Sequence, residues 1–284
     1  MTLVSILSLV LMWPAAQLHS PNEMGVSMGH VFTIVRDVDT TERFWILMGG
    51  IPLKVDGLDV IKFHGVLIFL RKGEPSGGTI GTVVDHIGFH VPNGEELVAK
   101  LRAAGVKMDP NTGTRRKSTW GNVYSPDGVK VEILDSMRST AAIGTSGMPA
   151  ASPLFGSIAS DHIHFFVPES SLAEIQAWYA KTFGAKAFMD PVSASSDAVR
   201  ADNIPGVELK FSKSPDSSAP TKGRAVDHIG FEVKNLEVFC KKLEASGVTF
   251  DLPYSKTRRA SYASAELVDP WGTSIELTEG LNKL

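Results

Sequence analysis

The hexapeptide VDHIGF occurs twice, at Val84 to Phe89 and at Val226 to Phe231, and a looser copy, DHIHF, runs from Asp161 to Phe165. GHVFT, Gly29 to Thr33, reads as a fourth. A motif recurring at long period restricts a chain to architectures assembled from copies of one unit. Placing VVDHIGFHV over AVDHIGFEV sets an offset of 142 residues, half of the 284-residue chain. At nearly that offset LVAKLRAAGVKMD meets FCKKLEASGVTFD, and the Thr-Arg-Arg at 114–116 meets the one at 257–259. SPDGVKVEIL meets DPWGTSIELT, with Gly128 over Gly272 and Glu132 over Glu276. Order and spacing together indicate duplication.

Each half divides again. Hydrophobic periodicity and turn residues give every quarter one strand, one helix and about three further strands. The helices end at glycines suited to a C-cap: Gly49 or Gly50, Gly105, Gly184 and Gly247. Four βαβββ modules follow, an α+β chain. The turn-rich stretch from Ser139 to Ser157 reads as a linker, so the division is 27–138 for an N-terminal domain of two modules, 139–157 for the linker, and 158–280 for a C-terminal domain of two modules.

Composition narrows the function. With 28 basic and 31 acidic residues and a net charge of -3, the chain lacks the basic footprint of a nucleic-acid binder. One cysteine, Cys240, excludes an intrachain disulfide; on an amphipathic helix pattern it reads as a core residue. Residues 1–20 carry an apolar run, Leu3 to Trp13, followed by Pro-Ala-Ala, the length of a signal-peptide core. Export to a periplasmic or extracellular space is the expectation, with a cytoplasmic location otherwise. No later segment has the length of a membrane span, so no membrane contact is expected of the mature chain.

Four βαβββ modules that each open on a histidine strand resemble the vicinal oxygen chelate superfamily, which includes glyoxalase I, type I extradiol dioxygenases and the bleomycin- and fosfomycin-resistance proteins. The resemblance implies that modules pair and curl into two open, cup-shaped barrels, commonly with a divalent metal inside. Carried over to this chain, it implies His162, His228 and Glu276 as ligands in a C-terminal cup, and His30, His86 and Glu132 in an N-terminal one. Two histidines and a carboxylate leave positions open for substrate oxygens. Strand alternation places His164 on the face of His162, as a candidate general acid or base or an alternate ligand, and His90 on the face of His86. The metal would be Fe2+, with Mn2+, Zn2+ or Ni2+ as alternatives. Arg258 and Arg259, before the closing hairpin, are candidates to anchor an anionic substrate group, and Tyr262 to line the cup. His64 reads as a surface residue; Trp178 and Tyr179 read as core.

The chemistry is less specific. Asp269-Pro270-Trp271-Gly272 and Glu276 fit the extradiol pattern, but Glu266 stands at its tyrosine position and no acid/base histidine precedes it. Glyoxalase I takes a glutamate from the last strand of the first unit. The inward positions of GVLIFLRK and GVELKFSK read as apolar, with Glu208 on the opposite face. The expectation is therefore a metal-dependent enzyme with dioxygenase, lyase or isomerase chemistry on a small substrate with vicinal oxygens, acting as monomer or homodimer. The alternative is a metal-free binding protein.

Overall fold

The structure, a computed structural model, describes residues 18–115, 118–135, 158–188, 199–214 and 217–284. Most of the apolar N-terminal segment and the whole of the linker lie outside them. Module 1 comprises β1 (Val26–Val35), α1 (Val38–Leu47), β2 (Ile51–Val55), β3 (Leu58–Phe63) and β4 (Val66–Lys72). Module 2 comprises β5 (Val84–Val91), α2 (Gly94–Ala103), β6 (Gly113–Arg115), β7 (Ser118–Tyr124) and β8 (Lys130–Asp135). Module 3 comprises β9 (Ala159–Val167), α3 (Leu172–Phe183), β10 (Lys186–Phe188), β11 (Val199–Ile204) and β12 (Val207–Lys213). Module 4 comprises β13 (Val226–Val233), α4 (Leu236–Ala245), β14 (Leu252–Ser255), β15 (Ala263–Val268) and β16 (Ser274–Glu279).

Local chemistry sets these boundaries. Asp37 caps α1 by accepting from the Thr40 amide, and Asn93 caps α2 by accepting from the Glu96 amide. Gly184 ends α3 in the left-handed region, at φ 69°, where a side chain is costly.

The modules form two eight-stranded mixed sheets, each curled into a cup. One runs β14, β15, β16, β13, β1, β4, β3, β2, and the other β10, β11, β12, β9, β5, β8, β7, β6. Module 1 thus pairs with module 4 (cup A) and module 2 with module 3 (cup B), through antiparallel contacts β1–β13 and β5–β9. The sequence-based division into an N-terminal and a C-terminal cup is not the pairing that forms. The copies present near-identical edges, so repeat analysis does not distinguish their partners. The two connections that cross between cups bond to one another. Val83 N donates to Ala219 O, Ala219 N to Gly81 O, Ser76 N to Gly223 O and Ala225 N to Gly77 O.

Strand alternation divides the faces. In β13, Ile229, Phe231 and Val233 face the helices while His228, Gly230 and Glu232 face the cup. The convex faces of both sheets share one aromatic-rich core with the helices. Trp45 of α1 meets Phe89 of β5 at 6.0 Å, and Phe183 of α3 meets Phe231 of β13 at 4.9 Å. Each contact joins elements of different cups. Tyr179 is fully buried in this core and Trp178 packs on its margin. Cys240 is buried there too, and burial, with Glu244 nearby, pushes its thiol up to about 12, so it is no nucleophile. No helix among the described residues is long and apolar enough to cross a membrane.

Candidate metal centres

Each of the four opening strands carries one extra residue immediately before its histidine. In β1 the register passes from Met28 to His30 while its partner advances by one, leaving Gly29 as a bulge. Asp227 is skipped in the same way in β13, and Asp85 and Asp161 in β5 and β9. A bulge lets neighbouring side chains that would normally point apart turn together. Asp85 Oδ1 thus lies 2.7 Å from Nδ1 of His86, Asp161 Oδ1 2.7 Å from Nδ1 of His162, and Asp227 Oδ1 2.8 Å from Nδ1 of His228. A carboxylate on Nδ1 fixes the tautomer and leaves the Nε2 lone pair for a metal. The aspartate of the DHIGF motif is therefore the orienting partner of its histidine. His30, preceded by glycine, has no such partner among the described residues.

The glycine of the motif has a role across the interface. A β-carbon on Gly230 would lie 2.0 Å from the His30 ring, and one on Gly88 would lie 2.1 Å from the His162 ring. Each cup therefore seats the histidine of one module over the glycine of the other.

In cup A these contacts gather His30, His228 and Glu276, all buried. Glu276 Oε2 is 3.0 Å from His30 Nε2 and 3.4 Å from His228 Nε2. These approaches lack the alignment of hydrogen bonds: both Nε2 atoms and both Glu276 oxygens are buried without a hydrogen-bond partner among the described residues. Orphaned polar atoms cost several kcal/mol, on the order of 1–3 each, unless something compensates them. Burial pushes His30 below its ordinary value. Burial also opposes charge on His228, but Asp227 and Glu276 raise it overall. Glu276, which burial alone would raise, is held well below the carboxylate range by the two imidazoles.

In cup B the ligand atoms of His86, His162 and His164 lie within 4.8 Å of one another, and Glu132 approaches His162 and His86. Glu132 Oε2 lies 2.9 Å from His162 Nε2 and 3.2 Å from His86 Nε2, and its other oxygen accepts from Trp120 Nε1. Glu132 is held well below its usual value by these imidazoles despite burial. Burial and the Lys210 ammonium oppose the charge on His162, yet Asp161 and Glu132 lift it to about 9. His164 is driven well below its ordinary value by burial and by His86 and His162. Both its ring nitrogens are engaged: Nε2 is 2.7 Å from Ser212 Oγ and Nδ1 is 3.2 Å from His86 Nε2.

The donor chemistry fits a divalent transition ion. Bonds of about 2.0–2.1 Å put neighbouring donors about 2.9 Å apart around a six-coordinate ion and about 3.3 Å apart around a four-coordinate one, and the separations in both cups lie close to that range. All six ligand positions read from sequence are thus in the cups, but in a different partition. His30 shares a cup with His228 and Glu276, and His162 with His86 and Glu132. His162, His228 and Glu276 do not form one site, and neither do His30, His86 and Glu132, because the first strands of modules 3 and 1 have exchanged partners.

Other expectations also need correction. Glu208 is on the inner face. β12 pairs with β9 through Glu208 beside His162 and Lys210 beside His164, while Val207, Leu209 and Phe211 turn to the helices. Residues paired across strands share a face, so Glu208, Lys210 and Ser212 line cup B. In β4 the inner positions Leu67 and Phe69 are apolar, as read from sequence. His64 is buried, its ring 5.0 Å from His19, rather than on the surface. His90 is buried at the far end of the His86 strand, where it pairs with Leu134 and Ala159.

Of the two arginines, Arg258 is committed to the loop itself, donating to Ser264 O, Ser264 Oγ and Pro253 O. Arg259 faces cup A: its charge acts on His30 and Tyr262, and its Nε is buried with no acceptor among the described residues. Tyr262 is buried against Phe69, Leu67, Val60 and Phe32, and burial raises its phenol. Sequence reading missed Asp56, at the β2–β3 turn of module 1. It accepts from Ala260 N, Ser261 N and Ser261 Oγ and so clasps the Arg259 loop of module 4 over cup A. The Asp56-Gly57 turn signal was visible in the sequence, but its partner loop was not.

Residues 160–277 match the family model of the Glyoxalase/Bleomycin resistance protein/Dioxygenase superfamily. No curated protein matches the sequence. Among solved structures, glyoxalase I from Zea mays is similar over 91% of this chain and 94% of its own, with a TM-score of 0.65 and 14% identity. A Bacillus subtilis protein assigned as a dioxygenase is similar over 93% of this chain and 86% of its own, with a TM-score of 0.65 and 13% identity. At these identities the likeness concerns the fold.

Proposed function

We propose that this chain, which belongs through residues 160–277 to the Glyoxalase/Bleomycin resistance protein/Dioxygenase superfamily, is a divalent-metal-dependent enzyme acting on a small substrate with vicinal oxygens. The observation that carries the reading is the convergence in cup A of two Nε2 atoms and two carboxylate oxygens, buried and without hydrogen-bond partners among the described residues. Such a set stays uncompensated until a cation takes it. His30, His228 and Glu276 would hold the ion in cup A, and His86, His162 and Glu132 in cup B. The ion, when bound, supplies Lewis-acid polarisation of substrate oxygens. Imidazole and carboxylate donors accept Fe2+, Mn2+, Zn2+ or Ni2+.

The remaining work falls to side chains of cup A. Three protein donors would leave positions on the ion open to substrate oxygens. Arg259 provides a guanidinium for an anionic group of the substrate. Tyr262, its phenol raised, stays protonated at neutral pH and acts as a donor, not a base. Phe32, Phe69, Leu67 and Val60 present an apolar wall to the substrate body. Asp56 holds the loop at 256–262 to module 1 through Ala260 and Ser261. Oxygenation, isomerisation and lyase chemistry all remain compatible with this arrangement.

The apolar wall also suits a metal-free protein that sequesters a hydrophobic compound, and one experiment separates the two. The chain is reconstituted with each of the four metals and offered hemithioacetals, 2-hydroxy ketones and, under oxygen, catechols. Turnover that requires metal and disappears in Glu276→Gln supports the enzyme. Metal-independent binding of apolar compounds, with no turnover and no metal uptake, supports the alternative.

A further inference from the structure

The two cups differ at two equivalent positions. Each opening strand places a residue two places after its histidine beside one residue of the module's last strand. In module 4 the pair is Gly230 and Glu276, and in module 2 it is Gly88 and Glu132. In module 1 it is Phe32 and Phe69, and in module 3 it is His164 and Lys210. Cup A therefore has two phenylalanines where cup B has a histidine and a lysine. The rings sit at similar separations but different tilts: Phe32 stacks on His228 with centroids 4.5 Å apart and planes at 16°, and His164 lies 4.7 Å from His86 with planes at 58°.

Phenylalanine offers no donor atom, so cup A has three protein donors. His164 offers a fourth to cup B. Its Nδ1 is 3.2 Å from His86 Nε2, the same separation as between that atom and Glu132 Oε2. The ring is held from behind. Ser212 Oγ sits 2.7 Å from its Nε2 and, by accepting that N–H, leaves the Nδ1 lone pair facing the cup. This is the arrangement of Asp85, Asp161 and Asp227 with the ring nitrogens exchanged. Lys210 occupies the place that supplies a carboxylate in modules 2 and 4, with its ammonium 3.7 Å from Glu208. Module 3 thus contributes no acid there, and His164 stands next to the vacancy in the donor set.

We propose that cup B is a second kind of metal site, a closed one in which His86, His162, His164 and Glu132 all bind the ion, while cup A keeps open positions for substrate. The inference rests on the metal reading above. Three imidazoles and one carboxylate suit a four-coordinate ion of the zinc or cobalt type, and a site without an open position is structural rather than catalytic. Of the two roles open to His164 on its strand, this is the ligand and not the acid or base.

The test titrates the metal-stripped full chain with Co2+, following visible absorption, which is far stronger for tetrahedral than for six-coordinate cobalt. The expected result is two equivalents in two classes. The tight class is intensely coloured and is removed by His86→Ala; the weak class is faint and is removed by His30→Ala. His164→Phe, which copies the Phe32 of cup A, should weaken the coloured class tenfold or more and bleach it. His164→Gln guards against misfolding and should do the same. Phe32→His should conversely tighten and colour cup A. Unchanged binding and colour in both His164 variants would overturn the proposal, as would colour that follows His30. Two faint classes, each removed by its own histidine variant, would overturn it while leaving the proposed function standing. Absence of cobalt binding in any chain would overturn both.

Discussion

Gly230 stands where a β-carbon would sit 2.0 Å from Cε1 of His30. The two residues belong to modules 1 and 4, some 200 positions apart (230 less 30), and Gly88 repeats the relationship with His162 in cup B. Gly230→Ala is expected to displace the His30 ring and abolish metal uptake in cup A only, at a cost of roughly 1–3 kcal/mol from overpacking. Gly88→Ala does the same to cup B. Metal content per chain and the thermal midpoint check both effects.

The aspartates before the histidines act through them. Asp227→Asn removes the carboxylate that orients His228 while preserving shape. Metal affinity of cup A should fall about 10- to 100-fold, with cup B unchanged. Competition with a chelator, measured beside Asp85→Asn as the cup B counterpart, reads this directly.

Asp202, on β11, gives a pH dependence independent of metal. Burial raises its carboxyl from 3.8 to about 6, although Gln176 works the other way. The native chain therefore holds this proton across a range in which the unfolded chain has lost it. Stability is fully present below 3.8, falls as pH rises, and above 6 is lower by about 3 kcal/mol at most, from about 1.4 kcal/mol per unit. Asp202→Asn should raise the thermal midpoint at pH 7 and converge with the parent near pH 4. Equal midpoints at pH 7 would contradict it.

The adjacent arginines should separate in their effects. Arg258→Ala loses three hydrogen bonds to Ser264 and Pro253 and should lower stability by about 1–2 kcal/mol. Arg259→Ala leaves stability near the parent value but weakens binding of anionic ligands more than neutral ones. Denaturant unfolding and binding of a carboxylate-bearing apolar probe tell them apart.

Much of this was legible in the sequence because strand chemistry has a fixed period. The histidines, Glu132 and Glu276 could be placed on inner faces from alternation alone, and DHIGF marked the opening strands. Partner choice was not legible, because His30 meets Gly230 through the same contact that would have joined it to Gly88. The phase of Glu208 is not legible because the apolar residues that alternate with it, Val207, Leu209 and Phe211, pack against the helices and leave Glu208, beside His162, to the cup. The hold of the aspartates on their histidines was likewise not legible, because the bulges at Asp85, Asp161 and Asp227 leave no mark in the one-letter code. Asp56 and Ser261 illustrate a further limit: their contact spans about 205 positions, between two loops without periodicity.

The central claim is that His30 and His228 share one ion and His86 and His162 another. The direct measurement is metal per chain, after anaerobic preparation without a histidine tag, for three double variants. His30→Ala with His228→Ala should lose one equivalent, as should His86→Ala with His162→Ala, while His162→Ala with His228→Ala should lose both. Loss of only one equivalent in the last variant, with both lost in the first, would contradict the account.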